Sequence, residues 1–302
     1  MKSTRKSYGE FLVEIGENED VVVFDADLAG ATKTDEFLKK YPKRHINVGI
    51  AEQDLVGTAC GMALTGKTVF ASTFAMFMAG RAYEQIRNTA AYSHVNIQLC
   101  ATHAGVMVGE DGPTHQCIED VALMNVIPGM SVLSPADDAS TKKILEMSVK
   151  VEGPKYIRLG RSDVQDIYTG NEKFVLGGSN TFGNGTDGTV FSYGPTVSIA
   201  IDAMNELKEK NINIRVVDLY SIKPVDKETI LKCAKETGKL VSIEDHSIIG
   251  GIGSIISNIL CEEYPKKLEK IGINDVFGKS GSAKALYEYY GFTKENIVSK
   301  FI

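Results

Sequence analysis

The chain has 302 residues, a length sufficient for two domains that each bury an apolar core. Its net charge of -6 provides no basic surface for nucleic acid, and no apolar run reaches the roughly 18 residues of a transmembrane helix. The five cysteines form no C-x-x-C pattern, so we predict neither a disulfide framework nor a zinc site, and we expect a reducing, cytoplasmic compartment.

Short apolar segments alternate with helical patterns through the first half of the chain. The predicted strands are 21–27, 45–50, 68–73, 95–103, 130–135 and 155–160, and the predicted helices lie near 51–65, 76–92, 116–125 and 137–149. The strands are apolar enough to be buried on both faces, which is typical of a parallel sheet covered by helices. We therefore predict a doubly wound parallel-sheet α/β domain over residues 1–165.

A second α/β pattern follows a segment rich in turn-forming residues. The segment 166–187 contains "GGSNTFGNGTDG", whose Gly, Asn, Asp and Thr content favours turns, so we predict a linker there with some edge hairpin. Apolar segments at 188–194, 212–220, 239–245 and 267–274 then alternate with helical patterns. Residues 188–302 are predicted to form a smaller α/β domain.

Glu52 follows the predicted strand 45–50 in the stretch "NVGIAEQD". One interpretation is an acidic residue in the first turn of a helix, where the helix dipole stabilises it. The other is a carboxylate beside a reacting group, because burial of 48–51 would set it at the mouth of the sheet, where ligands of parallel sheets bind. The local pattern alone leaves both interpretations open.

Phe74 and Phe77, in "STFAMF", are spaced so that both rings lie on one side of a helical turn. Such pairs usually fill space in a core. Beside an open cleft, the same two rings would stack on a flat ring of a ligand.

The loop 102–116 concentrates chemistry-bearing side chains after a buried strand. His103, Glu110, Asp111 and His115 lie among Gly105, Gly109 and Gly112, which allow positive φ and close approach of the backbone. The histidines are candidate donors or proton carriers. Their spacing matches no standard zinc motif, so we predict no metal site in this loop.

Two arginines and one glycine run complete the candidates. Arg5, placed before the first helix, and Arg161, after a strand, are surface residues by default, yet each suits a phosphate clamp. The run "GGIGS" (250–254) lacks the G-x-G-x-x-G spacing and predicts a closely packed helix N-terminus. Glu244, Asp245 and His246 before it are candidates for an interface or a supporting role.

In chain order, "NVGIAEQD", "STFAMF", "THAGVMVGEDGPTHQ" and "RLGRSD" closely resemble the C-terminal portion of transketolases, over almost the whole chain. The resemblance implies a thiamine diphosphate enzyme that transfers a two-carbon ketol unit from a ketose phosphate to an aldose phosphate. It implies that Glu52 hydrogen-bonds the aminopyrimidine ring of the cofactor and that Phe74 and Phe77 line its pocket. His115 would lie by the two-carbon unit and Asp111 by the sugar hydroxyls.

The resemblance also implies further roles. Arg5, His103 and Arg161 would bind the sugar phosphate, and Asp27 and Leu28 match a pair near the cofactor and the subunit contact. Two positions depart from the family pattern. Gly80 stands where many members have a tyrosine, and a serine that contacts phosphate in relatives falls near Ala31 or Thr32.

The chain lacks the Gly-Asp-Gly and asparagine motif that holds the diphosphate through a metal in such enzymes. The resemblance therefore implies the C-terminal subunit of a split transketolase. A separate N-terminal subunit would hold Mg²⁺ or another divalent cation, in a two-fold symmetric assembly.

Four other interpretations stay open. A 2-oxo acid dehydrogenase beta subunit shares the two-domain plan but lacks "GEDGPTHQ" with a histidine at 103. Half of a deoxyxylulose phosphate synthase shares "IAEQ" and a related loop. A transketolase-like enzyme could act on a specialised sugar, and a non-catalytic partner subunit could keep the fold alone.

Overall fold

Two sheets organise the computed structural model, which describes residues 1–302. The strands are β1 (Val21–Asp25), β2 (His45–Asn47), β3 (Thr68–Phe74), β4 (Ile97–Thr102), β5 (Ser131–Leu133), β6 (Pro154–Arg158), β7 (Asn180–Phe182), β8 (Gly188–Ser192), β9 (Ile214–Asp218), β10 (Ser221–Lys223), β11 (Lys239–Ser247) and β12 (Leu268–Ile273).

Helices cover both sheets, and none is long and apolar enough to cross a membrane. The α-helices are α1 (Thr4–Ile15), α2 (Ala29–Thr32), α3 (Asp35–Lys40), α4 (Glu52–Ala63), α5 (Tyr83–Gln85), α6 (Asp120–Asn125), α7 (Asp138–Ser148), α8 (Thr196–Glu209), α9 (Lys227–Glu236), α10 (Ile252–Glu263), α11 (Ala283–Tyr290) and α12 (Lys294–Ser299). Two 3-10 turns span Pro42–Arg44 and Val106–Asp111, and two π-helical turns span Met76–Arg81 and Ile86–Ala91.

The seven-stranded sheet has the order β10-β5-β6-β4-β3-β1-β2, and the five-stranded sheet has the order β12-β11-β8-β9-β7. Every pairing is parallel except at one edge of each sheet, where β10 runs antiparallel to β5 and β7 antiparallel to β9. These two parallel α/β sheets confirm the predicted fold class.

The structure adds two connections near the predicted linker. β7 lies inside 166–187 and forms an edge of the second sheet, while β10, from the second half of the chain, extends the first sheet. One apolar cluster also runs from Phe24 and Leu99 in the first sheet to Phe191 and Leu240 in the second. The two sheets are therefore packed through a continuous core, and the exact domain limits stay a prediction.

Three local predictions were wrong. β2 ends at Asn47 as an edge strand, and Ile50 is 76% exposed, so the segment before Glu52 is not buried. The predicted helix 76–92 is a short α-helix flanked by two π-helical turns. Arg5 lies inside α1 rather than before it, because the helix already begins at Thr4.

Candidate active site

The candidate residues converge at the carboxyl edge of the first sheet. Asp27 follows β1, Phe74 ends β3, His103 follows β4, Arg161 follows β6, and Glu52 begins the helix after β2. These five strands are neighbours in the sheet and run in parallel, so their carboxyl ends meet along one edge. The roles of these residues toward a cofactor or substrate stay predictions.

Glu52 is both the first residue of α4 and a buried carboxylate. Its side chain is 1% exposed although Ile50 just before it is exposed. The carboxylate Oε2 accepts a hydrogen bond from Nη1 of Arg81 at 2.7 Å, and the Arg81 side chain is 49% exposed. A buried acceptor is thus held by one donor that can move toward solvent.

Stacked rings lie on the other side of Arg81, whose guanidinium carbon is 4.7 Å from the centre of the Phe77 ring. The rings of Phe74 and Phe77 are nearly parallel, with centroids 5.7 Å apart and an interplanar angle of 11°. His103 stacks on Phe74 at 3.8 Å, and His115 meets Phe77 edge-on at 5.4 Å. A cleft of about 750 Å³ is lined by Phe77 and Arg81, whereas Phe74 is buried behind Phe77, so only the Phe77 ring borders open space.

His103 is buried and neutral. It has a φ of 58° and is 2% exposed. Burial is the main cause that lowers its pKa to about 3, and the cations of Arg5 and Arg161 lower it further. Arg5 has only donors, so Nε2 of His103 accepts from Arg5 Nη1 at 3.1 Å, and Nδ1–H donates to Thr102 Oγ1 at 2.9 Å. The imidazole therefore orients the Arg5 guanidinium.

Arg5 and Arg161 form a cationic corner. Arg5 Nη1 donates to the carbonyl of Ala31 at 2.8 Å, while its buried Nε has no hydrogen-bond partner. Burial and then the charge of Arg161 lower the pKa of Arg5. Arg161 Nη1 donates to the Val108 carbonyl and to Asp111 Oδ2, the latter at 3.3 Å. An unpaired buried donor on one guanidinium, with a second cationic side chain near enough to act on it, suits an anion.

The loop 102–116 depends on its glycines. Gly105, Gly109 and Gly112 have φ values of 74°, 83° and 76°, so all three use the positive φ that glycine allows. At Gly105 an added Cβ would lie 2.2 Å from Oδ2 of Asp245, so the residue also permits close contact with the second sheet. His115, at the end of the loop, is half-buried, with Nδ1 3.0 Å from the hydroxyl of Thr114.

The segment after β1 is organised by a buried acid that the sequence did not suggest, Asp25. Its carboxylate accepts from the Leu28 N–H at 2.5 Å and from the Thr32 hydroxyl at 2.8 Å, and burial raises its pKa. Asp27 is exposed, with a φ of 62°. The Thr32 hydroxyl is thus committed to Asp25, and the Ala31 carbonyl to Arg5.

The "GGIGS" run opens α10, as predicted, and its N-terminus is filled by a side chain. Both oxygens of Glu244 accept backbone N–H groups, from Ile252 at 2.8 Å and Gly253 at 3.0 Å. Asp245 accepts from the Val106 N–H at 2.9 Å, so this segment joins the second sheet to the loop 102–116.

Arg81 is a site residue that no sequence pattern indicated. An added Cβ on Gly80 would lie 2.3 Å from Cε of Met76, so Met76 occupies the space beside the position where the family pattern predicts a tyrosine. The sequence pattern of 76–92 fits an α-helix as well as a π-helical turn, so it did not predict the turn Met76–Arg81 or the direction of the Arg81 side chain. No group of three or more His, Cys, Asp or Glu side chains is arranged to hold a metal ion.

Comparison with known families covers most of the chain. Residues 1–166 match the family described as transketolase, pyrimidine binding domain, and residues 179–297 match transketolase, C-terminal domain.

Individual relatives match along the whole chain. A putative transketolase C-terminal section from Methanocaldococcus jannaschii is 45% identical, covering 100% of this chain and 96% of the relative. One of the subunits of the apulose-4-phosphate transketolase from Phocaeicola vulgatus is 38% identical, covering 98% and 96%. A solved split gene transketolase, described as an inactive beta4 tetramer, has a TM-score of 0.92 and 45% identity, covering 100% and 97%. Human transketolase is 37% identical over 98% of this chain, which spans 48% of that protein.

Proposed function

The chain belongs to the transketolase family, and from this premise we propose that it is the C-terminal subunit of a two-polypeptide transketolase. The reaction is transfer of a two-carbon ketol unit from a ketose phosphate to an aldose phosphate, with thiamine diphosphate as cofactor. The observation that carries the proposal is a buried carboxylate, Glu52, whose partner Arg81 lies over the Phe77 ring, which in turn is stacked with Phe74.

The residues present fit the flat, nitrogen-rich half of the cofactor. Glu52 supplies a buried acceptor for a ring nitrogen, and Phe77 supplies a planar face on an open cleft. Thiamine diphosphate, when bound, supplies the electron sink for the two-carbon unit. Glu52 holds or shares a proton at its Oε2, and the low exposure of its side chain keeps water from competing for that proton.

The cationic corner fits the phosphate of the sugar. Arg5 Nε is a buried donor that lacks a partner, and Arg161 lies close enough to lower the pKa of Arg5. A phosphate oxygen satisfies that donor and separates two like charges. Neutral His103 contributes by accepting from Arg5 and fixing its orientation.

Two residues of the loop 102–116 suit the sugar. His115 sits edge-on to Phe77 and is half-buried, so its ring nitrogens can exchange protons with a bound hydroxyl or carbonyl oxygen. Asp111 is partly exposed and already paired with Arg161, which orients its carboxylate. We assign Asp111 to the sugar hydroxyls and His115 to the reacting two-carbon unit. Asp27 and Leu28 follow β1 at the same edge of the sheet, and we assign them to the neighbourhood of the cofactor.

The proposal includes a second polypeptide. The relative with a TM-score of 0.92 is described as inactive when it is a tetramer of beta chains, and full-length transketolases are about twice as long as this chain. We assign the diphosphate and a divalent cation to an N-terminal subunit. Two copies of each chain then form an assembly with two-fold symmetry.

Reconstitution tests the proposal. The chain is mixed with an N-terminal transketolase subunit that carries the Gly-Asp-Gly and asparagine motif, and ketol transfer is assayed with thiamine diphosphate and Mg²⁺. We expect turnover only in the mixture. E52Q should lower kcat by about 10² to 10⁴-fold, the usual effect of removing an acid–base group, while the two chains still co-elute.

Asp54 provides the matched control, because it is an exposed acid in the same first turn of α4. If Glu52 acted only through the helix dipole, E52Q and D54N would have similar small effects. An active E52Q mixture, or ketol transfer by the isolated chain, would contradict the proposal.

A further inference from the structure

Arg81 makes two contacts at the centre of the candidate site. Its Nη1 donates to Glu52 Oε2 at 2.7 Å, and its guanidinium carbon lies 4.7 Å from the centre of the Phe77 ring. Guanidinium is flat, nitrogen-rich and well suited to stacking on an aromatic face. One side chain therefore hydrogen-bonds the buried carboxylate and packs over the ring that borders the cleft.

The local backbone places Arg81 there. The residue ends the π-helical turn Met76–Arg81, in which a wider turn changes the direction of the side chains relative to an α-helix. Gly80 leaves room for Met76, since a Cβ at position 80 would come within 2.3 Å of its Cε. The missing aromatic at position 80 and the placement of Arg81 thus occur in the same turn.

We propose that the Arg81 side chain occupies the place of the cofactor's aminopyrimidine ring in the cofactor-free chain. Binding of the cofactor then displaces Arg81 from this place. The inference rests on the proposed function, which assigns to that ring the same two contacts, a hydrogen bond with Glu52 and stacking on Phe77. In the cofactor-free chain, the Arg81 guanidinium pairs with the Glu52 carboxylate. Without this partner the carboxylate would be buried unpaired, which destabilises the folded state.

Displacement is sterically simple. The Arg81 side chain is 49% exposed and lies at a cleft of about 750 Å³, so its end can turn toward solvent without movement of the backbone. Binding of the cofactor must break the pair of Arg81 and Glu52. The affinity measured for the cofactor is therefore weaker than the affinity of a site from which Arg81 has already turned away. Arg81 thereby controls how tightly the subunit binds the cofactor.

The test compares R81M with R87M. Arg87 lies in the second π-helical turn, Ile86–Ala91, is exposed, and its side chain donates only to the neighbouring Asn88. Thiamine diphosphate is titrated calorimetrically into each variant assembled with the N-terminal subunit, with Mg²⁺ in excess. We expect a Kd about tenfold tighter for R81M than for wild type, and an unchanged Kd for R87M.

An unchanged Kd for R81M would overturn the inference. A weaker Kd would overturn it too, because Arg81 would then be a cofactor contact. Should R81M fail to fold, R81Q removes the same charge and should shift the Kd in the same direction. If the wild-type assembly bound no thiamine diphosphate, the proposed function itself would fall, an outcome distinct from a change in the ratio between variants.

A second readout needs neither partner nor cofactor. In the isolated chain, R81M should lower the melting temperature relative to R87M, since it leaves Glu52 buried without a donor. Adding E52Q to R81M should restore most of that loss. Equal melting temperatures for R81M and R87M would show that Glu52 does not depend on Arg81, and the inference would fail.

Discussion

Acidic and histidine side chains lie at the carboxyl edge of both sheets, and the two edges use them differently. At the first edge, Glu52 is held by the half-exposed side chain of Arg81, and Arg5 keeps a buried donor unpaired. At the second edge, both oxygens of Glu244 and both of Asp245 accept hydrogen bonds from the chain itself. The first edge is open to a ligand, whereas the second is closed by its own donors.

The closed edge also joins the two sheets. Arg158, at the end of β6, donates through Nε to Asp120 at 2.8 Å and through Nη2 to the carbonyl of Asp245 at 2.8 Å. Tyr287 from α11 donates to the Asp245 carboxylate at 3.0 Å. An acidic side chain at a strand end therefore indicates a ligand site only where the chain's own donors leave its oxygens without hydrogen bonds or with a displaceable partner.

The largest expected effect is on stability at the closed edge. Arg158 and Asp120 are both buried, so R158M leaves the Asp120 carboxylate without its cation, with only the Tyr156 hydroxyl as a donor, and removes the donor to the Asp245 carbonyl. We expect a loss of about 3–5 kcal/mol in the free energy of unfolding, measured by urea denaturation of the isolated chain. The double variant R158M/D120N should recover part of the loss. A cost below about 1 kcal/mol for R158M would mean that the edge is not closed as described.

The next effect is a pH dependence at the same edge. Burial raises the pKa of Glu244 from its ordinary 4.5 to about 7, against the opposing effects of the Gly253 and Ile252 N–H hydrogen bonds and then of the charge of Arg158. Between these values the folded chain holds a proton that the unfolded chain has released, so this group makes stability fall as pH rises from about 4.5 to 7. E244Q lacks the ionisation and should gain roughly 2–3 kcal/mol relative to wild type across that range.

Urea denaturation at intervals from pH 4.5 to 8 measures this difference. E228Q is the control, because Glu228 is an exposed acid in the first turn of α9. The E228Q and wild-type curves should run in parallel. If the E244Q curve were also parallel to wild type, the carboxylate would not change protonation in this range.

The smallest effect belongs to the open edge and concerns substrate affinity. H103N should raise the KM for the ketose phosphate about three- to tenfold, because one hydrogen bond that orients Arg5 is lost, worth about 1 kcal/mol. The pKa of His103 is lowered to about 3, so the residue stays neutral and the shape of the KM profile between roughly pH 5.5 and 8 should not change.

H94N is the matched control for H103N. His94 is exposed and also has a positive φ of 51°, which asparagine tolerates. Steady-state kinetics of the reconstituted enzyme should show an unchanged KM for H94N. If the KM of the wild-type enzyme changed with a titration step near neutral pH, and this step were absent in H103N, the neutral state of the His103 imidazole would be contradicted.

Much of the first edge could be read from the sequence. Strand-helix alternation predicts a parallel sheet, and a parallel sheet brings the residues after its strands to one edge, as with Phe74, His103 and Arg161. The prediction failed where apolar residues such as Ile50 follow an edge strand and remain exposed. It also failed at Arg81, because a π-helical turn and an α-helix share the same residue pattern.

The α/β class, the order of the motifs and the kinds of side chain at the strand ends follow from the sequence alone, because periodicity and turn residues act locally. Which acids are hydrogen-bonded within the chain, and which remain available to a ligand, depends on tertiary packing. Val106 and Asp245, for example, are 139 residues apart in the chain, and their hydrogen bond depends on how the two sheets pack. Such pairings follow from the path of the whole chain, so no local pattern reports them.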